Sequence, residues 1–164
     1  MTVSCLVDTD WIIHYLNGQP EIVSKLQEFQ GRGVAVSLVS LAELYEGTYY
    51  SHDPEAREGD LNDFLAGVSI IEIDKETCKI FGRERGRLRA KKKTVADFDL
   101  LIGATALQHN MTLLTNNRRH FHMVEGLRIF ESSREVVPTV PQKAGASIRA
   151  EYSGSRRPVL TLWP

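Results

Sequence analysis

The chain has 164 residues, 42% of them apolar and 25% charged, with a formal net charge of −1. This is room for one domain burying about 70% of its unfolded surface, and the near-zero charge excludes a molecule that traps nucleic acid by overall electrostatics. Any polyanion must instead meet a local basic patch or a metal.

Cys5 and Cys78 lie far apart in apolar contexts, which predicts buried free thiols in a reducing compartment rather than a disulfide or zinc framework. The N-terminus lacks a basic leader, and Asp8 and Asp10 cut its apolar run. No run nears the roughly 18 apolar residues of a membrane span, so a cytoplasmic protein without membrane contact is expected.

Residues 2–7 read as a buried first strand, and Asp10 as the N-cap of a helix that reaches Leu16 and breaks at Asn17-Gly18-Gln19-Pro20. A second helix is predicted over residues 20–29, ended by Gly31 and Gly33, then a short strand over 34–36. Ser40-Leu41-Ala42-Glu43 has capping-box spacing, which predicts a helix over 41–50. A helix over 54–66, a strand over 68–73 and an Asp74-capped helix over 75–90 follow. After a basic break come a helix over 97–110, a strand over 112–114, a turn of helix over 116–121 and a last strand over 127–130. Strands alternate with helices, so the expected fold class is α/β, a mostly parallel central sheet with helices on both faces.

From Ser132 the composition changes: residues 138–164 carry four prolines, scattered Gly and Ser, and no periodic apolar face. This divides the chain into a domain over 1–131 and a tail over 132–164, expected to be disordered or loosely docked through Val159-Leu160-Thr161-Leu162-Trp163.

The acids carry the functional signal by where they sit. Asp8 ends the apolar run of Val3, Leu6 and Val7; Glu43 opens one helix-like stretch, and Asp97 and Asp99 open another. A carboxylate at a strand end or helix start points into the crevice above the carboxyl edge of a parallel sheet, where open α/β folds keep their sites. Several of them converging there repel one another unless a divalent cation neutralises them.

Plainer readings compete at each position. Asp10 is well explained as a cap, whereas capping alone serves Asp8 poorly, so Asp8 reads as a metal ligand. Glu43 either closes its capping box or faces the site. Glu46 reads as a solvated surface residue, with a supporting contact on the face of Glu43 as the alternative. Asp97 and Asp99 are two apart, so one caps while the other faces the crevice; Gly103, Ala104 and Ala106 let their helix approach the sheet closely. Thr115, Asn116 and Asn117 are ordinary turn chemistry or, in the crevice, hold a metal-bound water. His120 and His122 read as a surface turn rather than a ligand pair, because imidazole is not a preferred Mg²⁺ ligand.

Four blocks in order are Val7-Asp8-Thr9-Asp10, Ser40-Leu41-Ala42-Glu43-Leu44-Tyr45-Glu46-Gly47, Asp97-Phe98-Asp99-Leu100-Leu101-Ile102-Gly103-Ala104-Thr105-Ala106, and Leu113-Leu114-Thr115-Asn116-Asn117-Arg118-Arg119-His120-Phe121. Together they resemble the PIN domain and, within it, the VapC toxins of bacterial toxin–antitoxin pairs. The resemblance covers residues 1–130. It implies a three-layer α/β/α sandwich, a Mg²⁺- or Mn²⁺-dependent endoribonuclease, a cognate antitoxin and a homodimer. The family's acid quartet carries over onto Asp8, Glu43 and Asp99, with Asn117 at the fourth position, where many members carry Asp. That Asn lowers the negative charge, and Asp97 is the acid expected to compensate in part.

Phosphodiester hydrolysis needs an activated water, charge relief on the phosphoryl oxygens and a stabilised leaving oxygen; bound metal supplies all three, with two ions roughly 3.5–4 Å apart in fully equipped sites. Asp8 and Asp99 are accordingly expected as direct or water-mediated ligands and Glu43 as ligand or water-orienting base. Thr115 and Asn117 would position the water or the phosphate, and the products would be a 5′-phosphate and a 3′-hydroxyl, as the family implies. The basic run Arg83, Arg85, Arg87, Arg89, Lys91, Lys92 and Lys93 is either a solvated face or, from Arg87 onward, a strip that steers the RNA backbone. Two rivals stand beside this reading. One is a partner-binding module with weak or no nuclease activity. The other is a phosphatase of the haloacid dehalogenase type, whose second metal motif would fall on Gly59-Asp60-Leu61-Asn62-Asp63.

Overall fold

A computed structural model describes residues 3–131 of the chain. The expected tail over 132–164 lies outside the described residues. Five strands, β1 (Cys5–Val7), β2 (Val34–Ser37), β3 (Ser69–Ile71), β4 (Thr112–Leu114) and β5 (Arg128–Ile129), form one sheet in the order β3-β2-β1-β4-β5. Every pairing among them is parallel. The helices are α1 (Thr9–Leu16), α2 (Pro20–Gln30), α3 (Leu38–Tyr49), α4 (Pro54–Leu65), α5 (Lys75–Ala90), α6 (Asp97–Gln108) and α7 (Arg118–Phe121).

Alternation along the strands sorts the core into two layers. Cys5, Val7, Val34, Val36 and Leu114 face one side, where Trp11, Ile12, Ile22, Leu26, Leu44 and Leu61 of α1 to α4 pack on them. Leu6, Ala35 and Leu113 face the other side and meet Ile102, Ala106 and Phe121 of α6 and α7. Leu6, Val7, Val36, Leu113 and Leu114 are fully buried, each stabilising the fold by about 1.5–3 kcal/mol relative to exposure. The result is the α/β/α sandwich expected from the sequence. Leu88, Val95, Leu100 and Val124 form a smaller cluster that seats α5 on α6.

Several boundaries differ from those expected. The first, third and fifth strands are shorter, because only these residues find a parallel partner on a neighbouring strand, and β3 is an exposed edge strand. Cys5 is buried, but Cys78 is exposed, since it lies on the solvent side of α5. Gly103 faces Val124 and Leu127 at distances of 3.6 Å from where a Cβ would stand, an ordinary contact, so close approach does not require glycine there. No helix among the described residues is long and apolar enough to cross a membrane.

The topology sets the place of the site. From β1 the chain crosses to β2 on one side, while β4 lies on the other. The crevice at the carboxyl ends of β1 and β4 is therefore the topological switch point of the sheet.

Candidate active site

Asp8 follows the last residue of β1 and itself caps α1, with extended backbone (φ −76°, ψ 156°). One carboxylate oxygen accepts a hydrogen bond from the Thr9 amide at 2.8 Å, the other from Thr115 Oγ1 at 2.7 Å. The expected cap, Asp10, instead lies inside the first turn, because the helix starts at Thr9. Its Oδ2 accepts from the Asn116 amide at 2.9 Å, while Oδ1 is buried with no hydrogen-bond partner among the described residues.

The capping box on Ser40 is not formed. Helix α3 starts directly off β2 at Leu38, and Ser37 caps it by accepting from the Ser40 amide at 3.0 Å. Ser40 is buried in the first turn and its hydroxyl is bonded to that of Ser37 at 2.9 Å. Glu43 is thereby released from the helix end, and its Oε2 accepts from Thr9 Oγ1 at 2.5 Å. Asp99 enters from the first turn of α6. Its Oδ2 lies 3.2 Å from Asn117 Nδ2 and 3.0 Å from His120 Nδ1.

These groups share one cavity of about 410 Å³, lined by Asp8, Asp10, Glu43, Glu46, Tyr50, Asp99 and Asn117, with Thr9, Ile13 and Gly47 filling its walls. Three consecutive residues after β4 each hold one acid: Thr115 binds Asp8, Asn116 binds Asp10 and Asn117 binds Asp99. Trp11 Nε1 donates to Asn116 Oδ1 at 3.0 Å, tying that loop to α1.

Among the described residues no basic side chain lines the cavity, and the acids show it. Burial, and then the charge of Asp10, push Asp8 up to about 7, against the opposing hydrogen bonds of Thr115 and Thr9. Asp10 is raised chiefly by burial. Glu43 is raised by burial, with Asp99 and Glu46 adding repulsion.

A divalent cation suits this donor set. The lining offers hard carboxylate oxygens, Asp10 Oδ1 is a buried acceptor without a partner among the described residues, and the raised acids are what positive charge relieves. Among the described residues no three such side chains already stand close enough to ligate one ion directly. The arrangement therefore fits a hydrated ion such as Mg²⁺, which keeps several of its waters, better than a dry cage.

Two other expectations are corrected here. Neither acid of the Asp97/Asp99 pair caps α6, whose N-cap is Ala96. Asp97 is exposed and paired with Arg85, so it adds no charge to the cavity in support of Asn117. None of the basic run is in the cavity lining either. Arg85 also donates to the Val95 carbonyl at 2.8 Å, and the Arg87 guanidinium binds Glu84 at 2.7 Å, Glu125 at 3.2 Å and the Met123 carbonyl. Arg89, Lys91, Lys92 and Lys93 are exposed and outside the lining.

The structure adds residues that sequence reasoning placed elsewhere. Asp10 and Glu46 line the cavity, and His120 contacts Asp99 rather than standing in a surface turn. The signals were present: Asp8 supplies the cap that freed Asp10, and His120 stands three residues after Asn117, the spacing that brings side chains to one helical face. The stretch Gly59–Asp63 lies within α4, with Leu61 buried in the core and none of it near the cavity, so the phosphatase alternative loses its second metal motif.

The fold that carries this cavity matches a known class. A PIN domain model matches residues 5–127, and the chain belongs to the PIN domain family. Its sequence is 31% identical over 124 residues to Ribonuclease VapC2 of Haemophilus influenzae, covering 75% of this chain and 93% of that protein. The fold is similar to VapBC2 from Rickettsia felis bound to a DNA fragment from their promoter, with a TM-score of 0.74, 27% identity and coverage of 78% of this chain and 98% of that one. A toxin–antitoxin complex from Klebsiella pneumoniae is similar over 78% of this chain and 97% of its own, with a TM-score of 0.60 and 25% identity. Within the family, these relatives place the chain among its VapC-like members.

Proposed function

We propose that this protein is the endoribonuclease toxin of a toxin–antitoxin pair, hydrolysing RNA phosphodiesters at the acid-lined cavity with Mg²⁺, or Mn²⁺ in its place. One observation carries the reading: carboxylates from three separate stretches of chain open on a single cavity at the sheet's switch point, with no basic residue in its lining among the described residues. The kinship with a ribonuclease VapC supports the choice of RNA, and the similar toxin–antitoxin complex supports an antitoxin as partner.

The residues divide the work by position. Asp8 and Asp99, fixed by Thr115 and Asn117, are the metal-holding pair, and Asp10 Oδ1 is available beside them. The cation, when bound, supplies Lewis acidity toward the phosphoryl oxygens and a water of lowered pKa. Glu43, anchored through Oε2 to Thr9 and raised by burial, is suited to orient the attacking water and take its proton at Oε1. Asn117 holds Asp99 where an acid would have repelled it. Arg89, Lys91, Lys92 and Lys93 are assigned to steering the RNA backbone from outside the cavity. Assembly as a homodimer completes the reading.

The test is end-mapping of RNA cut by the wild type and by Asp8→Asn. Cleavage that leaves 5′-phosphates, stops in excess EDTA and is lost in the folded variant is the expected result. Undiminished cutting by the variant contradicts it. Asn117 at the fourth acid position favours one alternative, a partner-binding module; calorimetry separates the two, because such a module has no need to bind Mn²⁺ at these acids.

A further inference from the structure

A single face of α3 runs along the cavity. Glu43, Glu46, Gly47 and Tyr50 stand at i, i+3, i+4 and i+7, and all four line it. At 1.5 Å per residue Tyr50 is about 10 Å along the axis from Glu43, and Gly47 places no side chain between them. Tyr50 thus marks the rim while the acids mark the floor.

Tyr50 is 79% exposed. Its neighbour Tyr49 is exposed as well, but stacks on Tyr45 with ring centroids 6.2 Å apart and planes at 21°. Among the described residues no ring stacks on Tyr50 and no side chain bonds its hydroxyl. Packing therefore does not account for a large aromatic side chain at this place. Unstacked bases of single-stranded RNA use such rings as platforms whatever their identity, whereas bases inside a duplex offer no free face. Tyr50 is the one aromatic ring among the described lining residues, Ile13 being the other large apolar side chain there, so a strand whose phosphate sits on the floor has a single ring face to meet on the way out.

We propose that Tyr50 is a stacking platform for the nucleobase flanking the scissile phosphate. This rests on the nuclease reading of the cavity. Tyr50 positions the substrate and takes no part in bond cleavage.

Binding is measured without turnover, on Asp8→Asn protein, by anisotropy of a fluorescein-labelled single-stranded RNA oligomer. Adding Tyr50→Ala is expected to weaken binding about 5- to 150-fold, the equivalent of one stacked base at about 1–3 kcal/mol. Tyr50→Phe and Tyr50→Trp are expected to bind within about twofold of Tyr50, because the ring face is what matters. In a series of oligomers with one abasic nucleotide each, a single position should weaken binding to the Tyr50 protein and leave the Tyr50→Ala variant indifferent. With Asp8 intact, Tyr50→Ala should raise KM and leave kcat within about twofold, the pattern of lost uniform binding. Equal binding by Tyr50→Ala, the same loss at every abasic position, or the same loss on duplex RNA would overturn the proposal. Absence of RNA binding with Tyr50 intact, together with absence of cleavage by the wild type, would instead bring down the nuclease reading beneath it.

Discussion

Asp8 and Glu84 are both carboxylates held largely out of water, Asp8 at 5% exposure and the Glu84 side chain at 12%. Their surroundings have opposite signs. Glu84 accepts from two Arg87 nitrogens, Nε and Nη2, and from the Glu125 amide, and these hold its carboxyl below the usual range. Among the described residues Asp8 has only Thr9 and Thr115 as donors against burial and the charges of Asp10 and Asp99, and is pushed up to about 7. One acid is compensated by the fold and serves to pack α5 against the 123–125 turn. The other is left uncompensated, the condition that marks groups kept for a ligand or a reaction.

Substitution should separate the two most sharply. Asp8→Asn is expected to lower RNA cleavage by about 10³-fold or more, since a metal-holding acid contributes several kcal/mol to the transition state. Glu84→Gln should leave cleavage within about twofold. Thermal unfolding should reverse the order: Glu84→Gln costs about 1 kcal/mol, discounted for its partly wet setting, while Asp8→Asn does not lower the melting temperature of metal-free protein.

The pH dependence should diverge as well. The ordinary value for Asp8 is 3.8, and in the fold it is about 7. Between these values the folded chain keeps a proton that the unfolded chain releases. The stability tied to Asp8 is therefore full below 3.8 and is lost as pH rises through about 7. Glu84 runs the other way: its contribution is present at neutral pH and is lost on acidification through its lowered value. Melting in EDTA at pH 5 and pH 8, compared between wild type and Asp8→Asn, isolates the first effect. The wild type should lose ground relative to the variant at the higher pH, and Mn²⁺ should restore it.

Smaller effects refine the contrast. Thr115→Val removes the donor to Asp8 and the acceptor of the Asn117 amide, which should cost about 1 kcal/mol of stability and about tenfold in cleavage. Asp97→Asn, on an exposed pair with Arg85 outside the cavity, should change cleavage by less than about twofold.

Much of the site was legible in sequence because Asp8 and Thr115 follow apolar runs while Glu43 and Asp99 stand near the starts of helices. Asp8 after Val7 and Thr115 after Leu114 are strand ends, and their convergence follows from the parallel topology alone. What failed was local. Ser37 and Ser40 both satisfy the N-cap preference, and the acid at position 43 made the later one look right, whereas the chain passes from β2 into α3 without a loop. That three-residue slip hid the release of Glu43 from any capping role. The same ambiguity between Asp8 and Asp10 concealed a lining residue. Asp97 was misplaced because a partner twelve residues earlier, Arg85, is invisible until α5 lies on α6.

The central claim is that the cavity acids jointly hold a divalent cation. Titration of Mn²⁺ into metal-free wild type and Asp99→Asn at neutral pH, with free Mn²⁺ followed by electron paramagnetic resonance, tests it most directly. Binding accompanied by proton release is expected in the wild type, with at least tenfold weaker binding in the variant, about 1.4 kcal/mol. Equal binding by the two proteins, or none by the wild type, would contradict it.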